Sequence, residues 1–376
     1  MTPFPDSRLR ILVACIPTPG TRFLEDWKSG IASSCDVIHD HLLFWDGEGD
    51  FDVVHIHWPE YLSFEIEKSL GRRLEEGVIP RLSERLRHWR GRSARIVVHR
   101  HNVFPHQYRD PAFETLYETV YAHADAVVHM GETSKREYLA RYAGCFPCDR
   151  QIQSVIPHAN FASYPNAVSK EAARRELGIR PTRRTVLIFG GLGRREEADM
   201  ALRAFYRLPG RDKMLLVPNW RETPRRIAWI RLKYWVRDLT RWYYRLHPWF
   251  NFGYGFVADE RVQYYLNAAD VLMVPRWRPL NSGNLILGFT FGKVVVGPDS
   301  GNVGEILRST GNPTFDPGNI ASVVDALGRG LQLAKQGLGD ANRRLALERW
   351  TVQRAGEMQV NLYHTIPGGS REGNNG

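Results

Sequence analysis

FDVVHIHWPEYL, residues 51–62, begins as a core strand and ends as something else. Its first half is apolar enough to be covered on both faces, the pattern of a strand inside a parallel sheet. Yet His55, His57 and Glu60 fall within six residues, and Trp58-Pro59 stands between the last two. Two imidazoles and a carboxylate are costly inside a core. The segment therefore reads as a strand running out toward something polar.

Working outward, the same alternation recurs. Strands are predicted at Arg10–Ile16, Val37–Leu43, Asp52–His57, Arg95–Arg100, Ala126–His129 and Gln153–Ile156. A second series follows at Thr185–Phe189, Lys213–Val217, Asp270–Val274 and Val294–Gly297. Helical patterns fill the gaps, among them Thr21–Ala32, Glu60–Glu76, Ala112–His123, Glu196–Leu208 and Gly283–Phe291. Strand-helix-strand alternation implies parallel sheets covered on both faces, and two series imply two doubly wound α/β domains. The 376 residues suit two domains of about 150–200 residues each. The Pro-, Ser- and Asn-rich stretch at 155–184 marks the break. The expected division is 1–179 and 180–365, with a disordered tail at 366–376.

Composition narrows the class. The net charge of +10 suits nucleic acid, an anionic membrane face or an anionic ligand such as a nucleotide diphosphate, and does not choose among them. No recognised nucleic-acid module accompanies it. No run of 18 apolar residues suggests a membrane span, and the start lacks the apolar core of a signal peptide. The 4 cysteines are too few for a disulfide scaffold, so a cytoplasmic setting is expected. Cys145 and Cys148 read as incidental thiols in a turn.

Ligands of open parallel sheets bind beyond the carboxyl ends of the strands. In the first domain those ends carry Gly20 after the first strand and His57, Trp58 and Glu60 after the third. The fourth is followed by His99, His101, Asn102 and His106. In the second, FGGLGRREE follows the first strand and PRWRPLNSGN precedes the helix at Gly283. Ser282 is expected to cap that helix, and its free N–H groups and dipole favour phosphate. Arg194 and Arg195 could share a diphosphate with it. A cleft shared by the two domains is the natural site. His55 and His57 lie on one strand face and could chelate a metal, but no zinc-type motif supports that, and no metal is expected.

One long helix from Ala228 carries Leu232, Trp235, Leu239, Trp242, Leu246 and Trp249 on one face, with Arg237, Arg241 and Arg245 on another. The seam reads as core, or as a face laid on an anionic membrane.

FDVVHIHWPEYL, VVHRHNVFPH (97–106), the stretch 250–277 and LNSGNLILGFTFGKVVVGPDSGNVGEI (280–306) together resemble bacterial GT-B glycosyltransferases. The pattern is similar to that of inverting GDP-mannose:glycolipid 4-β-D-mannosyltransferases of xanthan-type exopolysaccharide synthesis. It is more distantly similar to the retaining GT-B mannosyl- and glucosyltransferases. The resemblance implies two Rossmann-like domains facing a cleft, the first binding acceptor and the second nucleotide-sugar. It implies transfer of a hexose, mannose from GDP-mannose with inversion, onto a lipid-linked or saccharide acceptor at the inner membrane face, without a metal. Glu60 is the expected base, with His57 and His106 beside it. Gly20, Trp58, His101 and Asn102 are expected at the acceptor. Gly191, Arg194, Arg195, Asn281, Ser282, Gly283 and Asn284 are expected at the donor diphosphate or sugar, and Gly255, Phe256 and Val257 at its base. Two departures stand out. Leu287 occupies the place of the second glutamate of the retaining pair, with no acid eight residues earlier. Glu196 and Glu197 stand near the position of the usual lysine. A retaining enzyme or an inactive GT-B binding subunit are the alternatives.

Overall fold

The structure is a computed structural model that describes residues 8–17, 22–105, 110–192, 194–220, 239 and 242–367. It divides into two compact units. The first runs to Ala159 and resumes at Thr351; the second is Asn160–Trp350.

The first unit is built on β1 (Leu9–Val13), β2 (Cys35–His39), β3 (Val53–Ile56), β4 (Arg95–His99), β5 (Ala126–His129) and β6 (Ile152–Val155). They form one parallel sheet in the order β2-β1-β3-β4-β5-β6. Alternating residues supply two cores. Val54 and Ile56 face α4 (Val78–Gly91) and α5 (Ala112–His123), where Leu82, Leu86, Trp89, Phe113 and Tyr117 pack. Val53 faces the other way with Ile11 and Val13, toward Leu24 and Trp27 of α1 (Arg22–Ile31).

Two predicted elements end earlier than expected, each at a cap. The strand read as Val37–Leu43 stops at His39, because Asp40 accepts hydrogen bonds from Leu42 N and Leu43 N and starts α2 (His41–Asp46). The helix read as Glu60–Glu76 is a 3₁₀ turn at Pro59–Tyr61 followed by α3 (Phe64–Lys68), which Ser63 caps by accepting from Ile66 N. Side-chain acceptors of this kind satisfy the first orphan N–H groups of a helix.

The second unit opens with α7 (Lys170–Glu176), after α6 (Glu132–Tyr142) of the first. Ser169 caps α7, so the supposed linker is structured. The sheet contains β7 (Arg184–Leu187), β8 (Lys213–Val217), β9 (Phe250–Phe252), β10 (Val271–Met273), β11 (Val294–Pro298) and β12 (Thr314–Phe315). Its order is β12-β11-β10-β7-β8-β9, parallel throughout. Its helices are α8 (Arg195–Arg207), α9 (Asp259–Ala268), α10 (Gly283–Thr290), α11 (Gly301–Ser309), α12 (Ile320–Lys335) and α13 (Leu338–Arg349). The strands at β9 and β12 are too short to register as apolar runs. The division falls at Ala159 rather than near 180, since Asn160 is tied by its backbone N–H to Trp350 O (2.6 Å) and by Nδ2 to Ala346 O (2.9 Å).

The last helix, α14 (Val352–Thr365), belongs to the first unit instead of the second. Glycines let it cross α1 closely: a Cβ on Gly356 would stand 2.0 Å from Gly30 O. Its Tyr363 is buried against β3, with Oη 2.7 Å from His55 Nδ1. Gly356→Val forces these helices apart and should cost about 1–3 kcal/mol by overpacking. Tyr363→Phe should cost about 1 kcal/mol through the lost hydrogen bond. Urea unfolding followed by the near-ultraviolet signal of Trp27 and Trp89 measures both.

Candidate active site

Each sheet reverses its winding between two strands, and the loops there diverge to leave a crevice. In the first unit the reversal lies between β1 and β3. The turn after β3 is fixed by Ile16 N donating to Tyr61 O at 2.7 Å. Gly20 and His106 lie outside the described residues.

The β3 exit sends its polar residues to opposite faces of the sheet. His55 and His57 go to the α1 face, where imidazoles form a layer. His55 stacks on His57 (centroids 4.5 Å, planes 20° apart), His57 on His99 (5.2 Å, 22°) and His99 on His101 (4.8 Å, 20°). Trp58 stacks on His101 at 4.3 Å, Trp27 meets His57 edge-on at 4.8 Å, and Phe23 meets His101 at 4.8 Å. His57 Nδ1 lies 3.1 Å from His101 Nε2. His57 Nε2 and both nitrogens of His99 are buried with no hydrogen-bond partner. Asn102 sits half-buried on the loop beyond. Ligand atoms of His55, His57 and His99 all fall within 4.8 Å of one another. The planes of His55 and His99 stand 39° apart.

Burial sets the charge of this layer. It holds His57, His99 and His101 well below the usual imidazole range, with neighbouring imidazoles adding to the effect. Burial alone pushes His55 down to about 3, and it is the main cause that takes His158 to about 4. The layer is neutral near pH 7.

Glu60 goes to the other face. It is buried, and Tyr117 Oη of α5 donates to its Oε2 at 2.6 Å. Burial raises its carboxyl to about 7, against the opposing pull of the Tyr117 hydrogen bond. Glu60 and His57 are therefore not joined by a hydrogen bond, although they stand three residues apart. Tyr117 was not singled out as a site residue. Its only signal is the Phe113-Tyr117-Tyr121 stripe, which reads as core.

In the second unit the winding reverses between β7 and β10. The loops after these strands are locked together. Asn284 Nδ2 donates to Phe189 O at 2.6 Å, and Gly190 turns there with φ +83°, a conformation that favours glycine. Arg276 Nη2 donates to Gly191 O (2.9 Å), while its Nη1 lies 2.6 Å from Glu197 Oε2. The acid near the usual lysine position is thus held by an arginine from the neighbouring loop. Ser282 precedes α10, but its side chain makes no capping bond. The N-cap expectation fails, and the first N–H groups of α10 are left to other partners. Asn281 Oδ1 accepts from Asn302 Nδ2 at 2.7 Å, which ties the start of α10 to that of α11. Ser300 Oγ, at the N-cap of α11, is buried with no partner. Arg276, Ser300 and Asn302 are additions to the predicted site.

The remaining residues expected at the donor are less enclosed. Arg194 and Arg195 begin α8, and Arg195 is 88% exposed with Asp199 at 3.6 Å. Phe256 is 81% exposed beside Gly255, while Val257 packs against the core. The described part of the aromatic seam is divided: Leu239 and Trp242 are each 64% exposed and Leu246 61%, while Trp249 packs against the core beside Phe205. Leu232, Trp235, Arg237 and Arg241 lie outside the described residues.

No protein-family model and no curated protein matches the chain. Solved structures do. Sucrose-phosphate synthase from Thermosynechococcus elongatus superposes with a TM-score of 0.67 at 15% identity, over 95% of this chain and 98% of that one. Anabaena HepE in complex with UDP-glucose gives 0.68 at 13%, over 95% and 100%. An E. coli structure described as trehalose-6-phosphate bound with UDP-2-fluoro glucose gives 0.64 at 12%, over 96% and 100%. The fold is GT-B. In this GT-B chain both loop sets stand at the reversal of their own sheet.

The buried groups predict opposite pH effects. A histidine held below 6.5 leaves the unfolded chain with the extra proton, so its stabilisation is full above pH 6.5 and is lost as pH falls. Each such group adds a slope of about 1.4 kcal/mol per pH unit. For Glu60, raised to about 7, the fold keeps the extra proton, so stability falls as pH rises from 4.5 to 7. Urea midpoints should drop steeply from pH 6.5 to 5. His99→Phe should flatten that slope, and Glu60→Gln should raise stability more at pH 8 than at pH 5.

Proposed function

We propose that this chain is a sugar-nucleotide-dependent glycosyltransferase. The observation that carries the reading is the braced pair of helix starts at the β7–β10 reversal, with the α10 N–H groups uncapped by Ser282. Uncapped N–H groups at a helix start, with the positive end of its dipole, suit a diphosphate. In this reading Asn281, Ser282, Gly283 and Asn284 receive the diphosphate and sugar, and the Gly255–Val257 loop receives the base. Arg194 and the exposed Arg195, at the start of α8, meet the leaving group. No metal is required, because N–H groups and arginines stabilise its charge.

The acceptor belongs to the first unit. Its hydroxyl oxygen attacks the anomeric carbon, the bond from that carbon to the diphosphate oxygen breaks, and the leaving group keeps the electron pair. Glu60 takes the hydroxyl proton. A carboxyl poised near 7 is suited to that task. His57 is less suited, because its burial penalises the protonated form. Trp58, His101 and Asn102 contact the acceptor sugar.

The motif resemblance favours mannose from GDP-mannose with inversion, onto a lipid-linked or saccharide acceptor in exopolysaccharide synthesis. A uridine donor is the second reading, favoured by the UDP-glucose complex of the HepE neighbour. Among the described residues no helix is long and apolar enough to cross a membrane. Docking on an anionic inner leaflet is proposed from the exposed Leu239, Trp242 and Leu246 beside Arg245.

Thermal shifts with GDP and UDP, then with the matching sugar nucleotides, should show one base stabilising the chain; no shift with either sinks the reading. Glu60→Gln should lower turnover at least ~100-fold while nucleotide affinity stays within about threefold. The anomeric configuration of the product, read by NMR, decides inversion. Trp242→Ser should reduce sedimentation with anionic vesicles and leave neutral-vesicle recovery unchanged.

A further inference from the structure

The second unit has a pocket at the opposite edge of its sheet, where β7, β10 and β11 begin. Its cavity is about 330 Å³, lined by Lys170, Arg174, Arg184, Lys293 and Lys335, with Asp270 as the single carboxylate. Asp270 is already saturated. Its Oδ1 lies 2.5 Å from Lys170 Nζ, and its Oδ2 accepts from Arg174 Nη2 (3.0 Å) and Thr185 N (2.8 Å). Arg174, with a side chain 5% exposed, also donates to Ala268 O (3.0 Å) and to Pro181 O.

The other cations are left over. Among the described residues Arg184, Lys293 and Lys335 have no ion-pair partner. Lys293 Nζ reaches only Ala269 O, at 3.3 Å, and Arg184 donates to Pro209 O. Burial lowers Lys293 to about 8, with Lys170 and Arg174 adding to the fall and Asp270 and Asp340 opposing it. A cation half out of water with no ion-pair contact is costly unless an anion meets it. Five cationic side chains thus line one small cavity, and charged donors around a cavity suit a dianion.

We propose that this pocket binds a small phosphate dianion, as inorganic phosphate or as the phosphate of a soluble monoester. The site is separate from the loops that follow β7 and β10, and the proposal does not depend on the donor reading. A bound phosphate would cross-link α7, the start of β11 and the end of α12, and so stabilise the second unit.

Isothermal titration of the full chain with inorganic phosphate tests it, at constant ionic strength made up with chloride. One phosphate per chain is expected. The double variant Lys170→Ala/Lys335→Ala removes two cations from the pocket rim and should weaken binding at least tenfold. Lys293→Met should do the same, with circular dichroism confirming its fold. Asn281→Ala, on the far side of the sheet, should leave the affinity within twofold. Glucose 6-phosphate in place of phosphate separates a monoester from the free ion: tighter binding assigns the pocket to a monoester, equal or weaker binding to phosphate itself. Absence of heat above the chloride control overturns the proposal. So does unchanged affinity in the double variant, or loss of binding in Asn281→Ala, which would assign the phosphate to the donor loops.

Discussion

A parallel strand covered on both faces can offer a polar side chain to a ligand only where it ends. That constraint organises both units. The strand β3 is buried along its whole length, and its chemistry is deferred to the residues that follow: His57, Trp58 and Glu60. In the second unit the same constraint sends Gly190, Gly191 and Arg276 to the loops at the β7–β10 reversal, where Arg276 bonds the Gly191 carbonyl. The hydrogen bond from Asn284 to Phe189 O then fixes the start of α10 against the first loop. The shelf formed by these loops is therefore a consequence of sheet order, with local hydrogen bonds removing its slack.

The imidazole layer bends this rule, as do His129 in β5 and Lys213 in β8. His55 and His99 lie inside strands, on a face that otherwise holds Ile11, Val13 and Val53. Burial keeps these rings neutral, and a neutral imidazole stacked on another behaves as a flat apolar group with one or two polar edges. Tyr363 satisfies one edge of His55. The edges left unsatisfied on His57 and His99 are a standing cost, since a buried donor without a partner forfeits its solvation.

Much of this was legible in the sequence, and the failures have local causes. Ala112–His123, Ala126–His129 and Lys213–Val217 were read to the residue because their periods are clean and their ends are sharp. Val37–Leu43 was over-extended because Asp40 looks like one polar residue in an apolar run until its side chain is seen capping α2. The helix Val352–Thr365 was assigned to the wrong unit by position in the chain, since its partner shows only in three dimensions, as in Gly356 against Gly30, Tyr363 against His55 and Arg95 bonding the Tyr363 carbonyl. At the site, residue types at strand ends were visible, but which face each would take was not. His57 and Glu60 are three residues apart and diverge because the 3₁₀ turn at Pro59–Tyr61 reverses the chain between them.

The same sheet logic separates the two anion-seeking features of the second unit. At the carboxyl ends of β7 and β10 the attraction is dipolar: helix N–H groups, glycines and arginines that are solvated or already paired. At the amino ends it is a surplus of formal charge, because Asp270 is hydrogen-bonded by Lys170 and Arg174 while Arg184, Lys293 and Lys335 have no ion-pair partner among the described residues. A dipolar site suits a ligand that exchanges readily, since its grip is modest and reversible. A site of unpaired charge suits one that stays, because emptying it restores the desolvation penalty in full.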